Sequence, residues 1–212
     1  YPSRDAQVKV INSTSTSLDN YMYNYSEIDQ IEIYSDNPYM MEYKQYHPVT
    51  QAIVEEDWYQ KAVEQSSVFW VEMVSYDKYN NEYWNLCLVR KIPLVNSDYH
   101  AVLVIRVSDN YLNTRVSSQE YQMCASVDEG RIFYATSKED YGQQQVVDID
   151  YDENYFRYAG SLKLHNKTCF VDVSTLHLYQ SDSRIYICTL NDKSYDNIKN
   201  IIYICMAIIA VA

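Results

Sequence analysis

The residues with the clearest capacity for ligand chemistry are aromatic. All three tryptophans fall between Trp58 and Trp84. Clustered rings with a few polar tips are typical of small-molecule pockets, and they are also typical of hydrophobic cores. Rings from a helix and from a neighbouring strand can face each other across a gap, whereas interdigitated core rings leave none. The candidate ligand-binding residues in and beside this segment are Trp58, Tyr59, Trp70, Tyr76, Asp77 and Arg90.

Motifs of known catalytic machinery are missing from the sequence. The four histidines form no HExxH pair, and neither GxSxG, GxGxxG nor GxxxxGK[ST] occurs. The run 148–152 imitates the start of a calcium loop, but Glu153 stands where that loop needs glycine and Ala159 where it needs glutamate. We therefore predict no catalytic residue, no metal site and no cofactor.

The charge balance restricts the class of partner. The chain has 17 basic and 29 acidic residues, which give a net charge of −12. A phosphate backbone is repelled by such a chain unless a basic stripe is present, and none is found. Nucleic-acid binding is therefore excluded.

The five cysteines are widely spaced, without a CxxC pair. A structural zinc site is therefore not expected. Most of them lie in apolar or alternating stretches, as Cys87 does between Leu86 and Leu88. The favoured interpretation is buried core thiols, and a disulfide is the alternative.

The elements that must position these residues are a helix and many strands. A three- and four-residue apolar spacing near the start predicts a helix with one packing seam: Val8, Ile11, Ser15, Leu18, Met22 and Tyr25. From residue 31 onward most segments alternate with period two, which is typical of antiparallel strands. One amphipathic helix interrupts them at 55–65, and the acidic turn 128–130 predicts a hairpin.

The last segment, Ile201–Ala212, is uncharged and almost wholly apolar. A polar face with helical period is missing, so we predict the first part of a transmembrane helix. A buried terminal helix or strand is the alternative.

The order of these elements resembles a known family. The segments IDQIEIYSDN, DWYQKA, LCLVRKI, HAVLVIRV, SVDEGRIFYATS and RIYICTL follow one another before the apolar end. This order resembles the extracellular double Cache sensor domain (dCache) of bacterial transmembrane receptors, over about residues 5–197. The combination of WYQKA with LVRKI is most similar to the Firmicutes-type sensor histidine kinases.

The resemblance implies an α+β fold, with a long N-terminal helix and two PAS-like (Cache) antiparallel-sheet units. The implied boundaries are an N-terminal helix at 1–25, a membrane-distal Cache unit at 26–107, a connecting helix at 108–117, a membrane-proximal Cache unit at 118–195 and the start of a transmembrane helix at 198–212.

The resemblance also bears on the ligand. Trp58 and Tyr59 match the family's pocket-lining WY pair. The amino-acid-binding subfamily has an arginine where this chain has Glu56, and a tyrosine where it has Gln51. This departure argues against a carboxylate clamp and favours a cationic or hydroxyl-rich ligand.

The implied function is extracellular small-molecule sensing for a two-component sensor histidine kinase, at the outer face of the bacterial cell membrane. The kinase chemistry would lie beyond residue 212, so we expect no catalytic activity in residues 1–212 and a parallel homodimer in the parent receptor. The alternatives are the sensor domain of a chemotaxis receptor or of a cyclic-dinucleotide enzyme, and a secreted binding domain without a sensing role.

Overall fold

The computed structural model describes residues 4–65, 67–76, 78–94, 97–116, 122–127, 131–135, 142, 157–164, 167–177 and 184–190. The helices in these ranges are α1 (Arg4–Asn24), α2 (Gln51–Val54), α3 (Asp57–Glu64) and α4 (Asp109–Val116). The strands are β1 (Ile28–Ser35), β2 (Tyr46–Pro48), β3 (Phe69–Tyr76), β4 (Glu82–Ile92), β5 (Ala101–Val107), β6 (Gln122–Val127), β7 (Ile132–Ala135), β8 (Arg157–Leu164), β9 (Lys167–His177) and β10 (Arg184–Leu190).

The strands form two five-stranded sheets, ordered β2-β1-β5-β4-β3 and β7-β6-β10-β9-β8. In the first sheet β2 pairs in parallel with β1, whereas β1 with β5 and β5 with β4 are antiparallel. Every neighbouring pair in the second sheet is antiparallel. The predicted α+β class, a leading helix followed by two antiparallel-rich sheets, is confirmed.

The chain divides into two compact units. The first contains α1 to α4 and most of the first sheet, and the second contains the second sheet together with Val74–Trp84. The exact boundaries inferred from the sequence stay predictions. The segment predicted to begin a transmembrane helix lies outside the described residues. Within the described ranges, none of the helices combines the length and the apolar character that crossing a membrane requires.

Helix α1 forms although its centre reads STSTS, which is poor helix-forming material. The hydroxyls of Thr14 and Thr16 donate to the carbonyls four residues earlier, both at 2.9 Å, and Ser17 does the same at 3.2 Å. These bonds satisfy the hydroxyls inside the helix but slightly destabilise it, so packing against the rest of the unit has to stabilise α1. Ser15, on the predicted packing seam, is 1% exposed, so the small side chain lies where the helix contacts the rest of its unit.

The core of the first unit lies between helix α3 and one face of the first sheet. We call the face of the sheet that α3 covers the helix-covered face. Its buried side chains come from both partners: Tyr59 and Ala62 from α3, Phe69 and Met73 from β3, Cys87 and Val89 from β4, and Val102 and Val104 from β5. Full burial of one large apolar side chain contributes about 1.5–3 kcal/mol. The core thiol predicted at Cys87 is confirmed, and burial raises its pKa to about 12.

Helix α4 begins with a carboxylate that is half withdrawn from water. Ser108 precedes it, and its hydroxyl oxygen accepts the backbone N–H of Tyr111 at 3.3 Å, as a helix N-cap does. Burial raises the pKa of Asp109 to about 6, the negative charge of Asp29 adds to this rise, and a hydrogen bond with Asn85 opposes it. Folding therefore favours the protonated form of Asp109.

We predict that Asp109→Asn stabilises the protein at pH 7.5 but not at pH 4. An aspartate whose folded-state pKa is raised contributes stability below about pH 4, and this contribution is lost as the pH rises through about 6. A change of this size corresponds to about 3 kcal/mol for a fully buried group, and solvent screening at this half-buried carboxyl reduces it to about 1 kcal/mol. Urea unfolding at the two pH values measures the difference.

The matched control is Asp57→Asn, because Asp57 also opens a helix but is exposed. It loses a favourable interaction with the helix dipole and gains nothing at pH 7.5. An equal effect of Asp109→Asn at both pH values would contradict the prediction.

Candidate functional site

The helix-covered face carries a line of aromatic side chains that joins α3 to the edge of the sheet. Trp58 stands edge-to-face against Tyr59, with ring centroids 5.8 Å apart, and edge-to-face against Tyr34 of β1 at 5.4 Å. Tyr34 in turn packs against His47 of β2 at 5.2 Å. Tyr59 is buried, whereas Trp58 and Tyr34 are half-buried. These two rings therefore keep contact with both the core and solvent.

A buried ion pair lies beside this line. Arg106 of β5 donates from Nε to Oε2 of Glu32 on β1 at 2.9 Å, and the two side chains are only 13% and 8% exposed. The other oxygen, Oε1, accepts the hydroxyl of Tyr34 at 3.2 Å and Nε2 of Gln30 at 3.4 Å. Because buried charges are costly unless paired and hydrogen-bonded, these donors account for a carboxylate at this depth.

The pair also fixes the state of the Tyr34 hydroxyl. Burial raises the pKa of Tyr34 well above its ordinary value of 10, and the nearby charge of Glu32 raises it further. The hydroxyl therefore stays protonated at physiological pH and remains a donor toward Glu32. Its ring is held in place from one end by this bond and from the sides by Trp58 and His47.

His47 lies between two carboxylates. Its Nδ1 is 2.6 Å from Oε1 of Glu42, and its Nε2 is 3.8 Å from Oε1 of Glu32. Nε2 is buried and makes no hydrogen bond to any part of the chain that the structure describes. The 3.8 Å to Glu32 is too long for a hydrogen bond, whereas the 2.6 Å to Glu42 is within range, so Glu42 is the hydrogen-bond partner of this ring.

A second carboxylate–histidine pair, Asp36 with His100, lies where β1 ends and β5 begins. Oδ1 of Asp36 accepts the backbone N–H of His100 at 2.6 Å, and Oδ2 lies 2.9 Å from its Nδ1. The hydroxyl of Ser35 donates to the carbonyl of His100 at 2.9 Å. Burial raises the pKa of the Tyr59 hydroxyl, and the charge of Asp36 adds to this effect. The end of β1 and the start of β5 are thus tied together near α3.

The structure brings together Trp58 and Tyr59 among the residues predicted from the sequence. Strand alternation places Trp70 and Arg90 on the face of the first sheet opposite to Met73 and Val89, which belong to the helix-covered face. Tyr76 is 58% exposed and belongs to the segment that groups with the second unit. Asp77 lies outside the described residues.

Trp84 contributes to the second unit. Its Nε1 donates to Glu82 at 3.0 Å, and the guanidinium of Arg131 lies 5.2 Å from its ring centroid. Gly142, with φ +74°, packs so closely that an added Cβ would meet the indole ring at 3.2 Å. Three tryptophans that are close in sequence therefore take part in different environments.

Four residues of this arrangement were not predicted from the sequence: Glu32, Tyr34, His47 and Arg106. The signal for two of them was weak. Glu32 and Arg106 are opposite charges within two mostly apolar strands, but nothing in the sequence places those strands side by side. A pairing of such charges across neighbouring strands is the expected way to bury both.

Comparisons with known proteins support the fold. Neither a protein-family model nor a curated protein matches the chain. The extracellular domain of rpHK1S-Z16, described as a histidine kinase, matches with a TM-score of 0.61 at 10% identity, over 92% of this chain and 80% of that chain. That of soHK1S-Z6, described likewise, matches with a TM-score of 0.56 at 13% identity, over 92% and 82%.

The ligand-binding domain of the Pseudomonas aeruginosa PAO1 amino acid chemoreceptor PctC, in complex with GABA, has a TM-score of 0.51 at 12% identity, over 79% of this chain and 75% of that chain. The chain shares the fold of these sensory domains. It spans 56–60% of the length of several other chemoreceptor structures that it matches. At such identities the likeness establishes the α+β fold alone.

We predict that Glu32→Gln destabilises the first unit by about 3–5 kcal/mol, because it leaves the Arg106 guanidinium buried without its counter-charge. The amide oxygen of the glutamine can still accept the Tyr34 hydroxyl. The loss of stability therefore measures the contribution of the negative charge. Urea unfolding at pH 7 gives the free energy. Asp19→Asn is the control, because it neutralises an ion pair with Lys44 that is exposed on both sides and should change stability far less. Equal losses in the two variants would refute the prediction.

Proposed function

We propose that this chain is the extracellular small-molecule-sensing domain of a bacterial transmembrane receptor, with a histidine kinase as its output. The observation that carries the proposal is the match of both sensory domains described as histidine kinases over 92% of this chain. A binding role without catalysis accords with the absence of known catalytic motifs in the sequence.

The proposed ligand contacts are on the helix-covered face, around Trp58. Its ring is half-buried at the start of α3, and Tyr34 and Tyr59 stand edge-to-face against it. Such a ring offers a face to an apolar or cationic group while its neighbours fix its orientation. Tyr59, almost fully buried, would support Trp58 from behind. The ligand contacts that the sequence predicts for Trp70, Tyr76, Asp77 and Arg90 stay untested predictions. The site proposed around Trp58 does not include Trp70, because that ring lies on the opposite face of the sheet.

The charge around α3 favours a cationic or hydroxyl-rich ligand. Three consecutive exposed acids, Glu55, Glu56 and Asp57, directly precede Trp58. The nearby cations are engaged within the protein: Lys61 lies 4.7 Å from the Phe69 ring, and Lys91 donates to a backbone carbonyl at 2.9 Å. A ligand with an amine or several hydroxyls would therefore meet complementary groups.

A chemoreceptor output is the second candidate. The PctC domain supports it with a TM-score of 0.51, over a smaller share of this chain than the two domains described as histidine kinases. The sensing role would be the same in both cases, because ligand binding must favour one of two conformations to signal at all. We also propose that the parent receptor is a parallel homodimer and that transmembrane helices flank this domain.

We predict that a thermal-shift screen of amines, sugars, nucleosides and amino acids finds a stabilising ligand, since a ligand at 100 times its Kd contributes about 2.7 kcal/mol. Trp58→Ala should weaken the Kd of that ligand about fivefold to thirtyfold, the effect of losing roughly 1–2 kcal/mol of ring contact.

Trp70→Ala is the matched control, because it removes the same ring from the opposite face of the first sheet. Titration calorimetry on both variants should show a weakened Kd for the first only. If Trp70→Ala weakens binding and Trp58→Ala does not, the ligand binds on the other face and our assignment is wrong.

A further inference from the structure

Two cysteines far apart in sequence are backbone register partners in the second sheet. Strands β6 and β10 pair antiparallel from Ile185 opposite Val127 to Leu190 opposite Gln122, without a register shift. Within this ladder Cys188 is the direct partner of Cys124. The pairing is set by the backbone register.

This register meets the distance requirements of a disulfide. Directly opposed residues of antiparallel strands have Cα atoms about 4.5–5.5 Å apart, and a disulfide needs about 4.4–6.8 Å between Cα atoms. We propose that Cys124 and Cys188 form a dithiol site that is oxidised to a cross-strand disulfide by exchange with a small-molecule disulfide. The sheet can accept this bond without a change of register.

The exchange has a balanced course. One protein thiolate attacks the small disulfide, forms a mixed disulfide and releases the first thiolate of the reagent. The second protein thiolate then attacks the protein sulfur of that mixed disulfide, forms the intrachain bond and releases the second thiolate. The protein dithiol loses two electrons and two protons, and the reagent is reduced to two thiols.

The other cysteines with a described backbone are poor competitors. Cys87 is fully buried in the first unit, and the raised pKa of its thiol disfavours the reactive thiolate. Cys169 of β9 is paired with Leu162 of β8. The residue of β9 opposite Cys188 is Val173, so Cys169 lies four residues, or about 13 Å, along that strand. The register therefore selects one pair.

The bond would close a long loop. The segment between the two cysteines contains β7, β8 and β9, so the cross-link would restrict the unfolded chain and stabilise the second unit. The pairing of Cys124 with Cys188 does not depend on the proposed function. Only the expectation that the bond forms in the cell rests on the proposed extracellular location, where disulfides persist.

The test uses the purified full chain in its folded state, treated with oxidised glutathione at pH 8. We expect two of the five cysteine thiols to be lost, a mass decrease of about 2 Da for the intrachain bond, and a peptide map that joins Cys124 to Cys188. Dithiothreitol should restore both thiols, and the oxidised form should unfold at a higher temperature.

Single variants distinguish this pair from others. Cys124→Ser and Cys188→Ser should each abolish the intrachain bond, and Cys169→Ser should leave it intact. If a variant fails to fold, the peptide map of the oxidised wild-type protein still shows which two cysteines are joined. Retention of all thiols, or a map that joins other cysteines, would overturn the proposal. The experiment uses no sensed ligand, so such a failure would leave the proposed function untouched.

Discussion

Among the described residues of the first unit, the buried ion pair between Glu32 and Arg106 constrains how β1 pairs with β5. Glu32 and Arg106 lie on the same face of the sheet, with the Cα of Glu32 opposite Val104 and that of Arg106 opposite Gln30. Sliding β1 by one residue would move the carboxylate to the other face and leave the guanidinium buried without a partner. Such a slip carries the penalty of an uncompensated charge in addition to the lost apolar packing. The pair therefore specifies the register as much as it contributes stability.

The geometry of the proposed binding face depends on the pair of Glu32 and Arg106. Glu32 holds the Tyr34 hydroxyl, Tyr34 sets the ring contacts of Trp58 and His47, and His47 belongs to the short edge strand β2. The turn before β2 is also bound to α1, because Asp19 accepts from Lys44 at 2.8 Å. A change at Trp58 thus has a continuous set of contacts toward α1. Such contiguity permits energetic coupling between Trp58 and α1.

Local patterns predicted the elements well and the site only in part. Period-two alternation revealed the main strands, and the WYQKA segment is indeed a helix whose Tyr59 and Ala62 are buried. Sequence proximity was a poor guide to the tryptophans, because consecutive strand residues point to opposite faces and Trp70 thus leaves the face that Phe69 joins. In β8, Tyr158, Leu162 and Leu164 stand at alternating positions, but Gly160 interrupts this apolar pattern and weakens the strand signal.

What the sequence could not supply is pairing between distant segments. Glu32 and Arg106 are 74 residues apart, and Cys124 meets Cys188 only through the register of β6 with β10. Neither pair has a local motif, since each residue alone reads as an ordinary strand position. These pairs can be recognised only when the order of strands in the sheet is known, because neighbouring strands in a sheet are often not consecutive in the sequence. In this chain the order β2-β1-β5-β4-β3 puts β1 beside β5, and β7-β6-β10-β9-β8 puts β6 beside β10. Both pairs lie across these two non-sequential contacts. The antiparallel sheet topology, more than any motif, therefore determines where this protein places its reactive and charged groups.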